Sequence, residues 1–136
     1  MTLIELLAVL VIIGILSAIV IPRLNLTVTS SSASVGGAAY MIASDIRYAQ
    51  EFAMANRVSK SVTFTSGSSV YTFNPTNNLD PSGRLPSGVT TSNNFTITFN
   101  SLGEPTTGGG GSVTVSNGIQ TKTITVVNYT GKVNIT

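Results

Sequence analysis

Hydrophobic positions follow three different patterns along this chain. From Leu6 to Pro22 no side chain is charged and Ser17 is the only hydroxyl, so the run is apolar around the whole circumference of a helix. At ~1.5 Å per residue, Leu3 to Pro22 predicts a helix of ~30 Å, about one bilayer core. Such a segment belongs in lipid or in the middle of a helical bundle. From Ala38 to Arg57 the pattern becomes amphipathic. Ile42, Ile46, Ala49 and Ala53, with Phe52 beside them, recur at helical spacing and predict a helix whose stripe covers a sheet. Phe52 and Met54 read as core residues, and Arg47 and Glu51 stand four apart, placed to pair on the wet side. Between the two helices, Thr27 to Gly37 (TVTSSSASVGG) is rich in β-branched, hydroxyl and glycine residues. Its propensity reads as a linker or a strained helix.

Beyond Val58 the period switches to two. Ser61 to Thr65 and Ser69 to Phe73 flank Ser66-Gly67-Ser68, a hairpin pattern. Asn74 to Ser92 holds three prolines and two glycines and reads as a long surface loop. Four more alternating stretches follow: Phe95 to Phe99, Val113 to Ser116, Thr121 to Asn128 and Lys132 to Ile135. Glycine-rich connections separate them. Six short strands predict one antiparallel sheet or two packed ones. The chain thus divides into an apolar helix at 1–24, a second, amphipathic helical part at 25–57 and a globular β domain at 58–136.

Composition narrows the chemistry. There is no cysteine and no histidine, so disulfides, the commonest metal ligands and the commonest general base are missing. Charged residues make up only 9% and the net charge is +2, which leaves a polar, nearly uncharged surface closer to an extracellular than a cytosolic one. No basic region precedes the apolar run and no small-residue cleavage site follows it, which argues against a secretory signal peptide. A plain anchor flanked by Arg23 would place the β domain in the cytoplasm, where its composition fits poorly. A short basic leader, removed after insertion, resolves that conflict.

The residues Met1-Thr2-Leu3-Ile4-Glu5-Leu6-Leu7, the apolar run after them, Gly14 and Pro22 together resemble the N-terminus of mature type IV pilins and type II secretion pseudopilins. Met1 stands where that family usually carries phenylalanine. A helix ending near Ala49-Gln50-Glu51-Phe52-Ala53, the stretch Ile97 to Gly103 and the closing Thr130-Gly131-Lys132-Val133-Asn134-Ile135 look like the minor pseudopilins and their minor-pilin relatives. The two-cysteine C-terminal loop of many pilins is absent. The resemblance implies an α+β fold in which a long N-terminal hydrophobic helix, the spine, runs through residues 27–37 and packs on a C-terminal antiparallel β domain of about six short strands. It also implies cleavage by a prepilin peptidase, N-methylation of Met1, and Thr2, Leu3, Ile4 and Glu5 as the assembly motif.

Glu5 is the residue whose position asks for a partner, because a carboxylate in hydrocarbon is costly. Either it sits hydrated at the interface, or it pairs with the α-amine of Met1 on a neighbouring helix and fixes the axial register. Pro22 removes a backbone donor, so the helix is expected to loosen between Gly14 and Pro22. No catalytic residues are expected: Asp45, Glu51, Asp80 and Glu104 are scattered. No cofactor or metal is expected either. Residues 74–80 lack the alternating acids of a calcium loop, and Gly108 to Gly111 lacks the lysine of a phosphate loop. Lys122 and Lys132, as neighbours on adjacent strands, and Arg84 make too thin a basic patch to expect nucleic acid as a partner. Asn25, Asn94, Asn128 and Asn134 lie in sequons and are candidate glycosylation sites.

The expected function is that of a structural, major-pilin-like subunit of an extracellular helical filament, assembled through its N-terminal helix from a single-pass position in the inner membrane. Its partners would be copies of itself, the membrane before assembly, the prepilin peptidase and the assembly machinery. The alternatives are a minor pseudopilin of a secretion pseudopilus, or a minor pilin that binds DNA or adheres.

Overall fold

A computed structural model describes residues 2–20 and 26–136, with side chains at 2–17 and 34–136. The chain forms two compact units, Met1–Ser30 and Ser31–Thr136. In the first, helix α1 covers Leu3–Val20. Thr2 precedes it, and its carbonyl accepts the Glu5 and Leu6 N–H groups while the Glu5 carboxylate reaches back to the Thr2 N–H at 3.4 Å. The Glu5 side chain thus makes the glutamate half of a capping box and satisfies the Thr2 N–H.

The spine expectation is corrected here. The described helical residues fall into two separate helices, α1 and α2 (Leu26–Asn56), and no single long apolar helix packs on the β domain. The apolar part ends with α1, and α2 is mostly small and polar before its buried stripe begins. At ~1.5 Å per residue, the 18 residues of α1 rise ~27 Å, short of a ~30 Å hydrocarbon core. Among the described residues no helix is long and apolar enough to cross a membrane, which overturns the single-pass inner-membrane position and the transmembrane helix. The backbone of 27–37 is helical within α2, and α1 stays helical through Gly14; Pro22 lies outside the described residues.

The β domain holds eight strands, not six, in two four-stranded antiparallel sheets. One sheet orders β2 (Tyr71–Asn74), β1 (Lys60–Phe64), β4 (Phe95–Phe99) and β5 (Pro105–Thr107). The other orders β3 (Thr90–Thr91), β6 (Ser112–Ser116), β7 (Thr121–Val126) and β8 (Val133–Ile135). The two unforeseen strands, β3 and β5, are only two and three residues long, too short to show alternation, and both lie within or beside Gly/Pro-rich stretches. Alternation elsewhere points one face of each strand inward: Val62 and Phe64, Ile97 and Phe99, Val113 and Val115, Ile124 and Val126 are all buried.

Helix α2 completes this core. Val35, Ala38, Ala39, Ile42, Ala43, Ile46, Ala49 and Ala53 are essentially inaccessible and join the inward strand residues in one cluster. Met54, expected in the core, is 42% exposed, one position past the stripe. The Arg47–Glu51 pair does not form; Arg47 donates instead to the Val133 carbonyl at 3.2 Å, stitching α2 to β8. At Gly83, with φ +64°, a Cβ would fall 2.2 Å from the Tyr71 carbonyl oxygen, so only glycine lets this loop approach β2.

Ile97 sits in the middle of β4 with no exposed surface, between β1 and the helix-facing core. Ile97→Ala is therefore expected to lower the unfolding free energy by about 2–5 kcal/mol, with most of the spread set by how far the cavity collapses. Urea unfolding followed by circular dichroism measures it.

Candidate functional site

Two places concentrate chemistry, and each unit holds one. In the first unit the site is the surface of α1. Its large apolar side chains from Leu3 to Leu16 are between 52% and 84% exposed, with Glu5 the single charged group and Ser17 turned back onto the Ile13 carbonyl at 2.8 Å. Leu3, Ile4 and Glu5 lie in the first turn of this helix and Thr2 immediately precedes it, so the proposed assembly motif is contiguous in space. Glu5 already holds a long bond to the Thr2 N–H, a contact that the Thr-x-x-Glu spacing signals. Met1 and Asn25 lie outside the described residues.

The second site was not foreseen. Period-two alternation that buries Val62 and Phe64 also turns Lys60 inward, and Lys60 is among the largest fully buried side chains of the described residues. Its ammonium lies 2.7 Å from Asp80 Oδ1 and donates to the Pro75 carbonyl at 2.5 Å. The Phe52 ring centroid is 4.4 Å from Nζ and that of Phe73 is 5.7 Å away, a cation–π enclosure. Tyr48, on α2, donates its hydroxyl to Asp80 Oδ1 at 2.9 Å, and the Asn77 N–H donates to Oδ2 at 2.7 Å. Burial raises the Asp80 carboxyl, but the hydrogen bonds from Lys60, Asn77 and Tyr48, with the Lys60 charge, outweigh it and hold the group below its ordinary value. Burial and the neighbouring carboxylate push the Tyr48 phenol up to about 12.

A cavity of about 300 Å³ opens beside this cluster, lined by Tyr71, Phe73, Asn77, Asp80, Pro81 and Ser82 among others. Asp45 and Tyr71 make a second buried polar contact between α2 and β2, with the Tyr71 hydroxyl donating to Oδ2 at 2.5 Å. Desolvation raises the Asp45 carboxyl despite that bond, and desolvation and Asp45 together raise the Tyr71 phenol. Among the described residues no cluster of three or more acidic side chains is built to hold a metal.

The other sequence candidates stay apart. Strand register puts Ile124 opposite Ile135 and Val126 opposite Val133, so Lys122 and Lys132 lie at opposite ends of the β7–β8 pair and not side by side. Asn94 and Asn128 are exposed, but their side-chain oxygens accept the backbone N–H of Ser66 and of Tyr129. Asn134 is exposed on β8. Asp45, Glu51, Asp80 and Glu104 do not gather into one acidic group: Asp45 bonds Tyr71, Asp80 bonds Lys60, and Glu104 accepts from Asn100. Compared with family models, with curated proteins and with solved structures, the chain matches none of them.

The raised Asp45 carboxyl has a defined sign. Its contribution to stability is complete below the unfolded value of 3.8 and is lost as pH rises through the higher folded value. Asp45→Asn removes a buried charge while leaving an oxygen to accept the Tyr71 proton. The variant is expected to melt at a higher temperature than the parent at pH 7, with the gap shrinking toward pH 3, as measured by thermal unfolding across that range.

Proposed function

We propose that this chain is the structural subunit of a helical, pilin-like filament held together by packing of α1 against α1 of neighbouring copies. One observation carries the reading: a helix apolar on all sides with its side chains open to solvent from Leu3 to Leu16. Exposed apolar patches beyond a few hundred Å² are rare on monomers and mark a surface that another molecule covers. A second copy supplies an equally apolar helix, and copies joined head to tail by a rotation that does not close give an open filament. The β domain, polar and nearly uncharged, then faces outward and sets what the filament touches.

In this reading Glu5 does double work. It caps its own helix through Thr2 and pairs with the α-amine of Met1 on the adjacent copy, setting the axial step between subunits. The resemblance of the first seven residues to mature pilins supports the same arrangement, and with it processing and N-methylation at Met1.

Leu10→Asp places a charge in the middle of the apolar helix, and it is expected to abolish sedimentable filaments while the β domain keeps its circular-dichroism spectrum and melting temperature. Filaments of normal yield from that variant would refute α1 packing. Glu5→Gln keeps a side-chain oxygen for the cap but removes the charge. It is expected to cut filament yield at least tenfold, whereas full yield would assign Glu5 to capping alone.

A further inference from the structure

Lys60 and Asp80 form a buried ion pair. A buried ion pair is a weak source of stability, because the desolvation of both charges offsets their attraction. This pair is completely enclosed on the lysine side and 9% exposed on the aspartate side. A neutral bond in the same place would remove both charges from a low-dielectric site. Every group needed to make that bond is already arranged around the two side chains.

We propose that Lys60 and Asp80 condense to an intramolecular amide, so that the mature protein carries a covalent crosslink between β1 and the loop that follows β2. The nucleophile is Lys60 Nζ, 2.7 Å from the carboxylate and aimed by the Pro75 carbonyl. Transfer of one ammonium proton to Asp80 Oδ1, against the hydrogen bonds that hold the carboxylate ionised, gives the neutral amine and the carboxylic acid that the addition requires. The Nζ lone pair then adds to Asp80 Cγ. Negative charge develops on Oδ2, which already accepts the Asn77 N–H at 2.7 Å, a single donor in the role of an oxyanion hole. A second proton passes from Nζ to the Oδ1 hydroxyl, and Oδ1 departs as water while the carbonyl re-forms. Tyr48, which stays protonated and donates to Oδ1, assists that departure. The balance is one ammonium and one carboxylate in, one amide and one water out. No oxidant, cofactor or external reactant enters.

Placement supplies the rate. Two groups fixed at contact distance react with effective molarities of roughly 10⁵–10⁸ M when their approach is aligned. The water released next to Asp80 has an exit through the cavity lined by Asn77, Asp80 and Pro81. The remaining amide N–H keeps the Pro75 carbonyl as its acceptor. Phe52 and Phe73 keep bulk water from reversing the step. In a chain without cysteine, this crosslink takes the place a disulfide would hold, tying the β1–β2 hairpin and the 75–83 loop into a closed ring.

The test is a tryptic map of the purified chain after denaturation. Trypsin cuts an unmodified chain after Arg57, Lys60 and Arg84. The amide blocks cleavage at Lys60, so the expected product is one peptide covering residues 58–84, lighter than its sequence mass by one water. Cleavage at Lys60 with both fragments at full mass would overturn the proposal. So would a missing water that persists in Lys60→Arg, because it would then arise from cyclisation elsewhere in the peptide. Tyr48→Phe, checked for folding by circular dichroism, is expected to slow the reaction so that freshly folded protein shows the cleaved fragments first and the joined peptide later. An unchanged rate in that variant would remove Tyr48 from the chemistry while leaving the amide in place.

Discussion

The β domain depends on one packing constraint, the seam between α2 and the inward faces of two sheets. Ala38, Ala39, Ala43, Ala49 and Ala53 give that helix a nearly flat side, and Ile42 and Ile46 project from it between strands. Small residues keep this face of the helix low, and branched side chains such as Ile97, Val113, Val115 and Ile124 join it in one buried cluster. Burial of about one large apolar side chain contributes roughly 1.5–3 kcal/mol, and the cluster spans the helix and strands of both sheets. With no cysteine in the chain, no disulfide assists it. Apolar packing is the main term that must offset the ordering of a chain rich in serine, threonine and glycine.

Polar contacts across the same seam decide which way round the pieces fit. Tyr71 to Asp45, Arg47 to the Val133 carbonyl, and Gln50 to the Gly103 and Thr130 carbonyls each join α2 to a different strand end or loop. Lys60, Asp80 and Tyr48 add the densest of these stitches. None of the described buried side-chain polar atoms lacks a partner, so the helix can rotate or slide only by breaking several bonds at once. The contacts of the second unit are thus specific in geometry, whereas the described surface of α1 is apolar on all sides.

Much of this was legible from residue patterns because those patterns are local. Six alternating stretches fall on β1, β2, β4, β6, β7 and β8, and the stripe at Ile42, Ile46, Ala49 and Ala53 marks the buried face of α2. The two shortest strands were missed, since two or three residues carry no period of their own and are held in place by their neighbours. The continuous spine was an inference from resemblance, and it fails on the separation of α1 from α2. Lys60 was legible in principle, occupying the same phase of alternation as Val62 and Phe64, but a lysine in a strand ordinarily reads as solvated.

By itself, the sequence determined the apolar helix with its Thr2–Glu5 start, the amphipathic second helix, the β character of everything after Val58 and the exclusion of disulfides. Each of these rests on residue type and spacing within one element. Only the tertiary structure decided the partition of strands between two sheets, the separation of Lys122 from Lys132, and the meeting of Lys60 with Asp80 and Tyr48. Those relations join residues 12 to 32 positions apart, or depend on β-sheet register, where a shift of one residue turns every side chain to the opposite face. No local pattern carries that information, because it is set by the shared core that all the elements must close around.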